Sequence, residues 1–410
     1  MTDVFNGFEL LLFRRFQSCP ALWLDWRGKL LSKAVDKPAG QGTYHVLEDL
    51  EDIGEIPQSL WYLSVTLHRR QRPLLQLMEQ ELQREKENRL PQAGETLLSR
   101  YLSCHQFTEF YLDSMFKYGD DNRLPREIFK CPNVKYLSLK YNSLDHIPAD
   151  IGRMSKLEYL ALTNNKLQVH SLPHTLIFCK NLKTVLLDNN LLDALPGFLL
   201  QMPSIETVHR HGNHNYFKAT FMWYHTDVNY RIIPIAGSMD PMFHHQYESL
   251  QFWAAKTLIG FKKDFFSDER VAHGLKDYIA DIYDMFHICH YCNKACLAHL
   301  HGYKVITFKN PYLGNTCVPF QHWACSKECA EKLEVPARKE QIAAAMKLDE
   351  KYDEYVNECQ LHFHSHRTRL PCGAKTMYDE CQPPSQHLDE SSAQNTPKKK
   401  HSTRCVCVVS

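Results

Sequence analysis

A unit of 23 to 25 residues repeats through the middle of the chain, and it constrains the fold more than any other feature. Val134, Leu137, Leu139, Asn142, Leu144 and Ile147-Pro148 set the pattern. It returns as Leu157, Leu160, Leu162, Asn165, Leu167 and Leu172-Pro173, then as Leu182, Val185, Leu187, Asn190, Leu192 and Leu195-Pro196. A degraded fourth copy keeps Ile205, Val208 and Asn213, and the asparagines stand 23, 25 and 23 residues apart. The paired leucines of each unit make a short strand with one apolar side. The asparagine bonds backbone groups at the turn that follows, so successive asparagines form a ladder. One unit cannot bury its own apolar side, so neighbours must stack into an elongated array.

The pattern resembles the leucine-rich-repeat superfamily over residues 134–213. The fold class this implies is α/β: a leucine-rich-repeat solenoid, followed here by a helical segment, a small zinc-type module and a disordered, lipidated tail. Leu124-Pro125 precedes Ile147-Pro148 by 23 residues, and Phe107, Phe110 and Leu112 suit an earlier strand. Ile56-Pro57 with Leu60 looks like an older remnant, and Pro73 to Asn88 reads as a capping helix with a charged, solvated face. The concave side of such an array binds other macromolecules, usually proteins. The strand positions expected to line it include Tyr136, Ser138, Tyr159, Thr163, Thr184 and Asp188. Tyr136 and Tyr159 would be neighbours on successive rungs; aromatic pairs suit interfaces, although they can equally just cover the sheet.

Two cysteine pairs follow, Cys289-x2-Cys292 and Cys325-x3-Cys329, with 32 residues between them. Each pair can chelate from a tight turn, and together they complete a closed site of four thiolates, so one structural zinc ion is expected. Buried reduced cysteines are the plain alternative, and His322, Cys296 and Cys317 are substitute ligands. A RING domain needs eight alternating ligands, which this spacing does not supply. Lys304 to Phe308 and Phe320 to Ser326 suit strands between the pairs. The layout is similar to a subgroup of leucine-rich-repeat proteins with a C-terminal cysteine-pair module.

Ser249, Leu250, Ala254 and Leu258 resemble the elongin-binding box of cullin substrate receptors. Leu250, Ala254 and Leu258 share a helical stripe, as docking of a helix into a groove needs. Ala254 stands where that box usually has cysteine, and no clear cullin-selecting motif follows. A core stripe of an amphipathic helix has the same period. Further on, a helix is expected from Pro336 to about Gln360, with proline in its first turn. His362, His364 and His366 alternate after it and would share one face if extended, as a second metal site or a solvated histidine-rich linker.

The sequence ends Cys407-Val408-Val409-Ser410, a C-a-a-X box whose terminal serine points to farnesyl. Cys405 is a palmitoylation candidate, and Lys398, Lys399, Lys400 and Arg404 form a basic cluster suited to an anionic leaflet. This tail resembles the hypervariable ends of lipidated small GTPases. The resemblance implies a prenyltransferase as a modifying partner and residence on the cytoplasmic face of a membrane. The polar, Pro/Ser-rich stretch 383–397 reads as a disordered tether.

Composition narrows the rest. A net charge of +1 gives no reason to expect a nucleic-acid partner, and no run of 18 apolar residues exists to span a membrane. Thr2 in place of glycine argues against N-myristoylation, and Phe8 to Phe13 is too short and badly flanked for a signal peptide. Fifteen cysteines without such a signal read as thiols, metal ligands or lipid sites. No P-loop, dinucleotide fingerprint, nucleophile elbow or metalloprotease helix is present, so no catalytic residue is expected. Six segments follow: 1–100 as a degenerate repeat or cap, 101–215 as the solenoid, 216–286 as helical, 287–335 as the zinc module, 336–382 as helix and linker, and 383–410 as the tether. Together they suggest a membrane-tethered interaction scaffold, or alternatively the substrate-recognition subunit of a cullin-type ubiquitin ligase.

Overall fold

The computed structural model describes residues 4–21, 23–24, 96–116, 124–213, 231–237, 249–298, 300–315 and 317–367, with single positions between 77 and 87. The chain divides into two units, 1–348 and 349–410. The repeats form a six-stranded parallel sheet. Its strands are β1 (Val4–Asn6), β2 (Glu109–Tyr111), β3 (Tyr136–Ser138), β4 (Tyr159–Ala161), β5 (Thr184–Leu186) and β7 (Thr207–His209). Between the last two lies β6 (Leu195–Pro196), which joins a different sheet. The register runs straight across the rungs: Leu137, Leu160, Val185 and Val208 stand side by side, all buried.

The return path of each repeat is a short 3-10 turn, at Arg126–Lys130, Ala149–Arg153, His174–Phe178 and Gly197–Gln201. Each follows a proline, Pro125, Pro148, Pro173 or Pro196. Proline fixes φ near the helical value and lacks the N–H that a first turn leaves unpaired, so it starts these turns cleanly. The asparagine ladder is continuous. Asn165 accepts from the Leu144 amide and donates to the carbonyls of Leu139 and Leu162, and Asn142, Asn190 and Asn213 repeat the arrangement.

At the N-terminal end the chain adds a rung that the repeat pattern does not announce. Strand β1 pairs in parallel with β2, placing Phe5 beside Phe110. Helices α1 (Gly7–Ser18) and α2 (Leu97–Cys104) close this end over Phe5, Phe13, Tyr101, Phe107 and Phe110. The remnant at Ile56-Pro57 lies outside the described residues, as does most of the expected helix from Pro73 to Asn88. Of its charges, Glu81 is not solvated: it pairs with Arg100 at 2.7 Å with both side chains largely covered.

The segment 216–286, expected to be helical, contributes β8 (Ile232–Ile235) as well as α3 (Leu250–Gly260) and α4 (His273–Ile282). Then come β9 (Phe286–Ile288), β10 (Ala295–Leu297), β11 (Gly302–Lys309) and β12 (Val318–Ala324). The second sheet has the order β6-β12-β11-β8. Its join to the repeats is direct, because β6 belongs to the third clear repeat and pairs in parallel with β12, Leu195 with Phe320. Val318 and Phe320 are fully buried in one core with the repeat leucines. A polar staple adds to this. Asp150, its side chain 1% exposed, holds Arg126 and Arg153, and Arg153 reaches Asp277 of α4 at 2.5 Å. The module is thus continuous with the repeats instead of hanging from a linker.

Helix α5 runs Lys327–Arg367, so Pro336 lies inside it and not in its first turn. The start is set earlier, where the Ser326 hydroxyl accepts from the Cys329 amide and serves as the cap. Residues 362–366 are helical, not the extended run that a shared histidine face assumed. No helix among the described residues is long and apolar enough to cross a membrane.

Candidate metal centre and protein-binding face

The two cysteine pairs converge. Cys289 and Cys292 sit on the turn between β9 and β10, while Cys325 and Cys329 sit where β12 passes into α5. All four sulfur atoms lie within 4.8 Å of one another, with Sγ292 and Sγ325 at 3.6 Å and Sγ325 and Sγ329 at 3.8 Å. Four thiolates around a tetrahedral ion with metal–sulfur bonds of about 2.3 Å would stand roughly 3.8 Å apart. The geometry therefore fits a closed tetrathiolate centre that could hold a metal ion.

The electrostatics point the same way. Burial works against a thiolate at Cys289, but amide N–H groups of Cys292, Cys325 and Tyr291 outweigh it and pull that thiol below its usual range. Burial pushes Cys325 and Cys329 up, and the neighbouring cysteines add to it. Four thiolates this close repel one another, and a divalent cation removes the conflict. Lys262 faces the cluster: burial lowers its proton affinity, and Cys289 and Cys292 partly restore it. Of the substitute ligands, Cys317 is buried elsewhere and Cys296 pairs across β9–β10 with His287. His322 instead bonds His290 and Thr307.

On the parallel sheet, half-buried Tyr136 and Tyr159 stack with ring centres 4.6 Å apart and an 11° tilt. Tyr111 extends the row, 4.9 Å from Tyr136, with its hydroxyl donating to Glu109. Tyr111 was not singled out by the repeat pattern, because the insertion before residue 124 hides its register with β3. Thr163, Thr184 and Asp188 are half-buried beside this row. Ser138 is not available to a partner: it is fully buried, and its hydroxyl donates to Asp113 at 2.6 Å.

Helix α3 turns two different faces. Phe252, Ala255 and Ile259 go into the core with Phe286 and Ala295, capped by the Ser249 hydroxyl, which accepts from the Phe252 amide. Leu250 is 86% exposed, Ala254 is exposed and Leu258 is half-buried. The stripe singled out from sequence is therefore not the core stripe, which lies on the face next to it. Trp253 and Phe261 are also exposed there. The tail residues Lys398, Lys399, Lys400, Arg404, Cys405 and Cys407 lie outside the described residues.

Comparison with known proteins agrees with the repeat reading. Residues 122–167 match the family model for the leucine rich repeat. No curated protein matches the chain. Among solved structures, a leucine-rich-repeat protein of Leptospira interrogans is similar at 25% identity over 29% of this chain and 28% of its own, with a TM-score of 0.25. An internalin of Listeria monocytogenes is similar at 20% identity over 27% of this chain and 30% of its own, TM-score 0.23. The plant peptide hormone receptor RGFR1, solved in complex with RGF2, is similar at 27% identity over 28% of this chain and 18% of its own, TM-score 0.23. The chain spans less than a third of the length of each of these three.

Proposed function

We propose that this protein is a non-catalytic interaction scaffold that grips a protein partner on the concave face of its leucine-rich repeats. The observation that carries the reading is the Tyr111–Tyr136–Tyr159 row. Stacked tyrosines on a rigid sheet offer large, pre-ordered, amphipathic contact area at little entropic cost. The partner is to be found by proximity labelling in cells with the intact chain. The Tyr136→Ala/Tyr159→Ala variant should lose it while keeping the parent's circular dichroism. An unchanged partner set would remove the concave face from the proposal.

In this reading the cysteine centre holds one zinc ion as a structural element, since four thiolates leave no open position for water. Its place between β12 and α5 suits a role in fastening the module. The reading also includes a farnesyl anchor at Cys407, aided by Cys405 and by Lys398, Lys399, Lys400 and Arg404, on the cytoplasmic face of a membrane. Intact-mass measurement of protein from eukaryotic cells decides this: an unmodified end retaining Ser410 would remove the anchor.

A second reading is supported by the outward stripe on α3. Leu250, Ala254 and Leu258 resemble an elongin box, and the exposure of Leu250 and Ala254 is what a docking helix needs, although Leu258 also packs on the core. On this reading the chain is the substrate-recognition subunit of a cullin-type ligase, and the repeats hold the substrate. Elongin should co-purify with the intact chain and be lost from Leu250→Asp. Its absence from the intact chain would leave the scaffold alone.

A further inference from the structure

Between the turn side of the repeats and the cysteine module lies a chamber of about 490 Å³ that the readings above do not use. Repeat residues His146, His170 and His174 line one side, and module residues His287, His290 and His322 line the other. The rest of the wall is largely apolar, with the flat rings of Phe198, Phe286 and Trp323 beside Leu172, Pro173 and Ile288. Chambers of roughly 300–1,000 Å³ with mostly apolar walls and a few placed polar groups are the usual form of small-molecule sites.

The polar groups at depth fall into two sets. His290 and His322 satisfy each other through Nδ1···Nδ1 at 3.0 Å, and Thr307 meets His322 Nε2 at 2.9 Å. Gly197 makes this approach possible, because a Cβ there would stand 2.2 Å from His322 Nδ1. The second set is unmatched. His174 is 7% exposed, yet neither of its ring nitrogens has a hydrogen-bond partner, and the buried Oε1 of Gln321 has none either. Such atoms are costly to bury unpaired, and the two residues that carry these three both line the chamber, which suits it to a ligand that pairs them.

We propose that this chamber binds an uncharged, planar small molecule carrying a hydrogen-bond donor and an acceptor, with His174 and Gln321 as its polar anchors. A neutral imidazole presents one N–H and one bare nitrogen, and Gln321 presents a carbonyl oxygen; together they call for a donor and an acceptor on the ligand. The absence of charge follows from the walls. Burial holds His174 neutral, its pKa down at about 3, and burial with nearby Lys262 holds His322 at about 4. The one carboxylate of the lining, Asp284, is half-exposed and already engages His146 at 3.0 Å. A cation or an anion would therefore enter without a counter-charge, which burial penalises. A metal ion fits less well. Among the described residues, the four cysteines are the group whose ligand atoms gather within 4.8 Å, and the chamber's imidazoles do not gather so.

The test uses the full chain, isotopically labelled at histidine, with three probes of similar size. These are 2-quinolinone (donor and acceptor), N-methyl-2-quinolinone (acceptor only) and 2-naphthoate (an anion). The expected result is that 2-quinolinone binds with a dissociation constant below about 1 mM and moves the His174 ring-nitrogen resonances. The N-methyl compound should bind about tenfold more weakly, the scale of one lost hydrogen bond at a buried site, and naphthoate more weakly still. His174→Phe keeps the ring's bulk and should abolish binding. Gln321→Met, which removes the side-chain acceptor from β12 and leaves the backbone pairing with Pro196 and Ile306 available, should weaken the 2-quinolinone and leave the N-methyl compound unchanged. Both variants are compared at equal metal content and equal unfolding temperature. No binding of 2-quinolinone overturns the proposal. So does equal binding of all three probes, binding unaffected by either variant, or a His174 response only to added nickel.

Discussion

Replacing Asn165 with alanine tests the ladder, and the structure sets the size of the effect. The Asn165 Oδ1 accepts from the Leu144 amide at 3.1 Å, and Nδ2 donates to the carbonyls of Leu139 and Leu162, both at 2.9 Å. Those carbonyls do not become orphans in Asn165→Ala. Leu139 keeps its bond from Asn142, and Leu162 keeps its bond from Asn190. The Leu144 amide does lose its acceptor, at a cost of about 1–3 kcal/mol for a buried donor, and the two weakened carbonyls add up to about 1 kcal/mol. The expected loss is about 2–4 kcal/mol, read from urea unfolding by circular dichroism with metal in excess. The sharper consequence is coupling. Asn142 and Asn165 share the Leu139 carbonyl, so the double variant leaves it with no donor and should lose about 1–2 kcal/mol more than the sum. Asn142 and Asn213 share no carbonyl, so that pair should add within about 0.5 kcal/mol. Additive losses for Asn142 and Asn165, or equal coupling in both pairs, would refute the shared-acceptor account.

Purified protein should carry about one zinc per chain, and Cys325→Ser should lose it and expose residues 286–335 to hydrogen exchange, because structural metal binding is folding free energy; metal-free parent that keeps its protection would contradict this. Asp150→Ala leaves Arg126 with Asp281 and Arg153 with Asp277, so it should cost about 1.5–3 kcal/mol, with exchange rising first in α4, as mass spectrometry of the 273–282 peptides would report. Acid should destabilise the fold through His174. Its folded pKa is held down at about 3 by burial, whereas the unfolded value is about 6.5, so below that value the unfolded chain binds the extra proton. Stability from this residue is present above about pH 6.5 and falls by up to about 1.4 kcal/mol per pH unit toward pH 3, and His174→Phe should flatten the slope by that amount.

The sequence by itself determined the parts that depend on period and chelation. Val134 to Asn213 could be read rung by rung because the side-chain spacing is the spacing of the structure, and the asparagines fall at each turn. Cys289, Cys292, Cys325 and Cys329 were legible for a similar reason, since each pair closes its own turn. Tertiary structure decided what depends on contacts between distant segments. Strand β1 joins the sheet by pairing across more than a hundred residues, and three residues of strand carry no period to read. The join of Leu195 to Phe320 fuses module and repeats, though neither strand names its partner in sequence. Ser138 sits at an outward strand position, yet Asp113 from the preceding rung draws its hydroxyl inward and buries it. The helix at Leu250 had two apolar stripes of the same period, and only packing against Phe286 and Ala295 chose which one the core takes. The imidazoles of His174 and His322 lie 148 positions apart in sequence and line one chamber, because only the fold brings a repeat's turn against the module's strand.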